Sequence, residues 1–292
     1  MDSGDRISRS ARLALLAPAV LVIAVCLGGP LALLLSYSFA PGGSTRANFS
    51  DGLTLENYVG VLGDAFYLGI IFKTLWLSVL VTLAAILVGW PLAYFLWKMP
   101  PRFKTLCTLG IVAPLLISIP VRNYGWMLIL GDTGLINKAL LALGLIARPL
   151  RMMFTDLAVV IGLTHVLMPF VVLSVLASLE RIPGDLAEAA CSLGANRLTA
   201  IRLIVIPLSM PGLLAGATLV FCVASSSYVT PALMGPSGAK YSAVLIYQQF
   251  VSVFDWPRGA AVAVVLLVIT ALALILVLGS ADRRYRHLLR SH

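Results

Sequence analysis

Six apolar stretches, each about as long as a bilayer is thick and separated by polar connectors, constrain this chain more than any other feature. They run over about 13–37, 74–97, 106–130, 156–179, 209–233 and 259–280, and crossing a hydrocarbon core takes about 20 apolar residues in helical form. Lipid offers backbone N–H and carbonyl groups no partner, so helix is the structure expected in each stretch. Apolar residues make up 60% of the 292 and charged residues only 11%, with a mean hydropathy of +0.99. A soluble domain of this size needs far more charge to solvate its exterior. The fold class expected is therefore all-α: a polytopic membrane protein with six transmembrane helices. Pro18, Pro91, Pro114, Pro120, Pro169 and Pro211 fall within or at the edges of these stretches and mark expected kinks.

The first stretch has the basic lead of a secretory signal, Arg6, Arg9 and Arg12. However, its apolar core from Leu13 to Leu35 is 23 residues, longer than a signal core. The small-residue pattern Ser38-Phe39-Ala40 is followed by Pro41, a poor cleavage context, so an uncleaved first helix is expected. Segment 1–12 then forms a cytoplasmic lead, 13–282 the six-span domain and 283–292 a basic cytoplasmic tail.

Connector charge sets the expected orientation. Arg6, Arg9, Arg12, Lys98, Arg102, Lys104, Arg181, Arg197, Arg202, Arg283, Arg284, Arg286 and Arg290 fall on one side, thirteen of 21 basic residues. The positive-inside rule assigns that side to the cytoplasm, with both termini on it. This scatter over connectors and ends, rather than along one stripe, argues against reading the net charge of +9 as a nucleic-acid footprint. On the opposite side, 134–145 has apolar residues at helical spacing and is expected along the outer interface. The stretch 241–256 reads as a short helix at the outer mouth.

Several chemistries lack their residues. No G-x-x-x-x-G-K-[ST] phosphate loop, H-E-x-x-H or G-x-S-x-G motif occurs. Cys26, Cys107, Cys191 and Cys222 show no metal-ligand spacing, so neither a catalytic nor a metal site is expected. The spans hold no matched carboxylates of the kind a secondary transporter uses, nor a nucleophile with a base for an intramembrane enzyme. His165 lies inside the fourth span; it is a functional candidate by default, weighed against a histidine satisfied by a neighbouring helix.

The longest inner connector reads ERIPGDLAEAACSLGANRLTAIRLIVIPLSMPGL. Asp185 is a plausible N-cap with Glu188 three residues on, the spacing of a capping box. Gly194 is expected to break this helix, and a second one carries Arg197 and Arg202 toward Pro207. Two short helices joined at a glycine make a compact knob suited to a cleft on another protein.

Glu188-Ala189-Ala190, Gly194, Ile204 and Ile206-Pro207 resemble the EAA loop of membrane subunits of ABC importers, in which Glu-Ala-Ala, three residues, Gly, nine residues, Ile, one residue and Leu-Pro recur. Ile206 stands where that pattern has Leu. Pro120 to Asn137 and Tyr228 to Trp256 resemble the spermidine/putrescine permeases within the family, and the resemblance covers about 13–282. It implies an ABC importer type I-like permease fold in a bacterial inner membrane. It also implies that loop 184–207, with Glu188, Ala189, Ala190, Gly194, Arg197 and Pro207, seats in a groove on an ATP-binding subunit. The partners implied are a second permease subunit, different from this chain, two ATP-binding subunits carrying ATP and Mg, and an extracytoplasmic solute-binding protein. This chain itself would bind no cofactor and catalyse no reaction. The substrate implied is a polyamine, with aminobutyrate, an opine, a phosphonate or ferric iron as alternatives.

The translocation-pathway candidates are Tyr124 and Trp126 near one end of the third span, Asp132 just beyond it, and Ser226 and Tyr228 in the fifth. Hydroxyls and aromatic faces can pass a polyamine, with cation–π attraction assisting; serines in membrane helices equally favour close helix packing. Arg122 either faces the pore or snorkels to the outer interface. The structural role is favoured, because an unpaired arginine repels a cationic substrate.

Overall fold

The computed structural model describes residues 17–18, 20–41, 52–182, 185–192, 194–238 and 241–290, and all regular structure among them is helical. In chain order the helices are α1 (Val20–Ser38), α2 (Glu56–Gly63), α3 (Ala65–Lys98), α4 (Pro101–Leu116), α5 (Ile119–Leu130), α6 (Leu135–Ala142), α7 (Asp156–Leu179), α8 (Asp185–Ser192), α9 (Arg197–Ser226), α10 (Val229–Met234), α11 (Ser242–Val253) and α12 (Trp256–Arg290). Five of them, α1, α3, α7, α9 and α12 over Trp256–Val277, are long and apolar enough to cross a membrane. The bent pair Pro101–Leu116 and Ile119–Ala142 makes up to six. The chain forms two units, the described parts of Met1–Tyr67 with Ile246–Val265, and of Leu68–Leu245 with Leu266–His292.

In the first unit α2 closes the end of α1. Buried Asn57 donates through Nδ2 to the carbonyls of Ser38 (3.2 Å) and Ala40 (2.7 Å), which no helical N–H can reach. Tyr58 adds a hydrogen bond to Ser38 Oγ at 2.6 Å and packs its ring on Phe39. Along α1 itself, side chains from Val20 to Leu35 are largely exposed.

The second unit is built around α7. Val171, Val175 and Leu179 recur at helical spacing, are fully buried, and share one apolar cluster with Leu77, Val81 and Ala85 of α3 and Val220 and Ala224 of α9. The hydroxyls of Thr74, Ser78 and Thr82 line a buried stripe on α3. Each donates to the carbonyl four residues back, so none is left unsatisfied in an apolar surround. Lipid supplies no hydrophobic drive between helices, and close contact between small residues replaces it. Gly212 and Gly216 of α9 provide this against α7. A Cβ on Gly212 would stand 2.3 Å from the Ser174 carbonyl oxygen, and one on Gly216 2.8 Å from Val171 Cα. The Trp90 indole also donates to Ser209 Oγ at 3.0 Å, tying α3 to α9.

Two of the expected spans are not single straight helices. The stretch expected over 106–130 breaks at Ile117–Ser118, and the chain leaves α4 at 100°. Pro120 lies in the first turn of α5 and has no N–H to return to Leu116. The stretch expected over 209–233 ends as a helix at Ser226, and the chain is extended at Ser227 before α10 begins. Here Pro231 cannot donate back to Ser227. Conversely, α9 starts at Arg197, twelve residues before the expected start of the fifth span, and runs 30 residues, with a π-turn near its start.

Because Gly212 faces backbone, a larger residue there forces α7 and α9 apart. Gly212→Val should cost ~1–3 kcal/mol of stability, the usual penalty of overpacking. Gly110→Val on α4, where nothing lies within 4 Å of the added Cβ, should cost much less. Thermal unfolding of the detergent-solubilised variants checks the difference. Equal melting temperatures for the two would contradict the close-packed contact.

Candidate functional site

The long connector folds as two helices joined at Gly194. α8 already includes Asp185. Gly184 and the side chains of Asp185 and Glu188, on which the expected capping box depends, lie outside the described residues. At the other end, Gly194 adopts φ +94°, and the Ala195 N–H reaches back to the Ala190 carbonyl at 3.0 Å. This is the six-to-one bond of a Schellman turn, which satisfies a carbonyl the helix end orphans. Nothing lies within 4 Å of a Cβ added at Gly194, so backbone conformation rather than space demands glycine there.

The second helix starts at a cap that sequence reading missed. Asn196 Oδ1 accepts from the Thr199 N–H at 2.7 Å; the signal was an Asn directly before a helical run. One turn on, Ile201–Val205 widens into a π-turn, with the Ile206 N–H bonding to Ile201 five residues back. Pro207 follows and has no N–H to donate to Leu203, so the wider turn sits where the regular ladder is already interrupted. Ala189 and Arg197 are exposed and Ala190 half-buried. The second helix of the knob is thus continuous with α9, and α8 joins it through Gly194.

Within the second unit, the two helix breaks carry a group of polar side chains. Arg122, 8% exposed, turns back from α5 and donates through an NH group to the Pro114 carbonyl at the end of α4. It does not snorkel; it places its charge on the partially negative end of a helix. Buried Asn123 donates to Thr230 Oγ1 at 3.2 Å, which joins α5 to α10. The Trp126 indole donates to His165 Nδ1 at 3.3 Å, and the two rings meet edge to face with centroids 5.5 Å apart. His165 is accordingly satisfied by a neighbouring helix.

The pathway candidates do not all converge. Tyr124 is 57% exposed. Trp126 and Tyr228 are half-buried, and Tyr228 packs against the apolar cluster. Ser226 is exposed, yet its hydroxyl turns back to the carbonyls of Cys222 (3.1 Å) and Val223 (3.3 Å). Asp132 lies apart from these, in a hollow of about 380 Å³ with Met127, Gly131, Arg151, Met153 and Phe154.

Two ion pairs of the second unit escaped sequence reading because their partners are far apart along the chain. Lys73 Nζ lies 2.9 Å from Asp156 Oδ1 at the start of α7. Tyr241 donates its hydroxyl to the same oxygen at 2.5 Å, and the Lys73 ammonium stands 5.4 Å from the Tyr241 ring centroid. Burial first, and then this bond to a carboxylate, push the Tyr241 phenol above its ordinary range, so it stays a donor. At the opposite end of α7, Lys104 of α4 pairs with Glu180.

No model of a known protein family matches the chain. Among curated proteins it is 38% identical over 224 residues to the spermidine/putrescine transport system permease protein PotB of Escherichia coli (strain K12), covering 76% of this chain and 80% of that one. It is 33% identical over 222 residues to the protein of the same name from Haemophilus influenzae, covering 75% and 77%. Against the inner membrane ABC transporter permease protein YdcU of Escherichia coli (strain K12) it is 31% identical over 246 residues, covering 79% and 77%. Among solved structures, a chain of a bacterial alginate ABC transporter, in complex with an alginate pentasaccharide-bound periplasmic protein, superposes with a TM-score of 0.76. That match is 17% identical and covers 97% of this chain and 98% of the other. An inward-facing MetNI methionine ABC transporter chain gives 0.54 at 18% identity, covering 76% and 95%.

The architecture is that of an ABC importer permease. The chain belongs to the family of ABC transporter permease subunits that includes the spermidine/putrescine transport system permease proteins, and it is a multi-pass inner-membrane protein.

Removing the hydroxyl of Thr230 leaves buried Asn123 without that partner, at a cost of ~1–3 kcal/mol for an unsatisfied polar group. Thr230→Val should therefore lower the melting temperature. Asn123→Leu with Thr230→Val should recover much of the loss, because both ends then become apolar. A double variant no more stable than Thr230→Val alone would show that the bond does not hold the two helix breaks together.

Proposed function

We propose that this chain forms half of the translocation pathway of an ATP-driven polyamine importer, with spermidine or putrescine as the substrate. The observation that carries this is the 38% identity to a spermidine/putrescine permease across 76% of the chain, together with the glycine-jointed knob between α7 and α9. The excess of Lys and Arg on one set of connectors favours a cytoplasmic knob and cytoplasmic termini. The six-span domain is assigned to 13–282, with lead 1–12, tail 283–292 and coupling loop 184–207.

In this reading the chain is a non-catalytic subunit. ATP and Mg are held by two ATP-binding subunits, one of which receives Glu188, Ala189 and Ala190. A second, different permease subunit completes the pathway, and an extracytoplasmic solute-binding protein delivers the substrate. Closure of the ATP-binding subunits displaces the knob, and α9, continuous with it, carries the displacement into the membrane. Nucleotide thus biases a two-state element through its differential fit to the two arrangements. Trp126, Tyr124, Ser226, Tyr228 and Asp132 are the residues assigned to the pathway.

Gly194→Pro demands a φ near −65° where the backbone holds +94°, and Glu188→Lys reverses the charge assigned to the groove. Either should abolish ATP-dependent spermidine uptake while membrane insertion stays normal. Normal uptake by both variants, at normal membrane levels, would sink the coupling assignment. For the substrate, the partner binding protein should be thermally stabilised by spermidine or putrescine. No shift with any polyamine would remove that class.

A further inference from the structure

One helix of the second unit is held differently from the others. None of the 16 residues of α4 is buried, whereas α3 and α7 each bury many. Cys107 and Ile111 touch the apolar cluster with partly buried side chains. Polar fastenings hold its two ends. Near its start, the Lys104 ammonium pairs with Glu180, which caps the end of α7. Near its finish, Arg122 clasps the Pro114 carbonyl. Glu180 stands five residues before α8. Of the three ion pairs among the described residues, this is the one beside the loop.

The neighbours of α4 are by contrast locked. Gly212 and Gly216 seat α9 on the backbone of α7, so a push on the knob moves these two helices together. It reaches α4 through the Lys104–Glu180 pair and the light contacts of Cys107 and Ile111. Beyond α4 the chain turns through 100°, so a shift of α4 along its axis becomes a sideways displacement of α5. Through Asn123 and Trp126, α5 grips Thr230 of α10 and His165 of α7.

We propose that α4 is the lever by which movement of the 184–207 loop reaches the broken helices inside the membrane, and that Lys104 and Glu180 are the positioning pair that makes it follow. This rests on the ATP-driven importer reading and names the contact that transmits its coupling. A surface ion pair adds little to stability. Here it acts as a register contact, and reversing one charge replaces attraction with repulsion where α4 must follow α7.

The test uses the full complex with its own ATP-binding subunits, second permease and binding protein, reconstituted in proteoliposomes. The readout is spermidine taken up per ATP hydrolysed. Lys104→Glu and Glu180→Lys should each lower that ratio about fivefold, the upper range for an exposed pair that biases a two-state equilibrium. Both variants should retain bound ATP-binding subunits. The double reversal Lys104→Glu with Glu180→Lys should restore the ratio to within about twofold of the parent. Arg102→Glu, two residues away and in no ion pair among the described residues, controls for headgroup and topology effects and should leave the ratio unchanged. Single reversals with the parental ratio, or a double no better than either single, would overturn the lever. A parental complex that hydrolyses ATP without any uptake would overturn the importer reading itself, and the lever with it.

Discussion

Inside a bilayer, every backbone N–H and carbonyl must find its partner within the protein, and the rest of this structure depends on that constraint. It makes the long segments helical, and it makes any interruption of a helix costly unless side chains repair it. Among the described residues, two such interruptions occur, at Ile117–Ser118 and at Ser227, each two to four residues before a proline that cannot donate. Both are repaired. Arg122 covers the Pro114 carbonyl, and Ser226 turns its hydroxyl onto the Val223 carbonyl, which the Ser227 N–H leaves for Ala224. The two repaired breaks are then joined through Asn123 and Thr230. Polar residues that looked like a substrate path in a linear reading are, in several cases, the groups that let the helices break.

Packing divides the second unit into parts that move together and parts that can move apart. α7 and α9 touch backbone to backbone at Gly212 and Gly216, the close approach that small residues allow. The proposed coupling loop connects those two helices. The loop's second helix runs through the π-turn at Ile201–Val205 directly into the membrane helix that ends at Ser226. α4 buries none of its own residues against them.

Much of this was legible in the sequence. Apolar length marks the spans, because lipid admits nothing else. The knob's joint was legible as well: Gly194 holds a left-handed backbone at φ +94°, and that requirement is written as a glycine. The breaks were not legible, since hydropathy measures how apolar a stretch is and not whether it is straight. Pro120 and Pro231 were the available signals, but proline is also tolerated inside unbroken helices, as Pro91 and Pro169 are here. The Lys73–Asp156 and Lys104–Glu180 pairs were out of reach for another reason. Their partners are 83 and 76 residues apart, so the pairing exists only once α3 and α4 lie beside α7. Arg122 shows the same limit, because its partner is a carbonyl that a straight helix would not have exposed.

The central claim is that the knob between α7 and α9 seats in an ATP-binding subunit, and site-directed cross-linking tests it most directly. Ala189→Cys, at an exposed position of α8, would be introduced after replacing the four native cysteines. The purified complex would then be treated with a short thiol cross-linker with and without ATP. The account predicts a permease–ATP-binding subunit adduct through residue 189 whose yield changes with nucleotide. An intact complex that gives no such adduct in either state, while a cysteine elsewhere on the same face does, would contradict it.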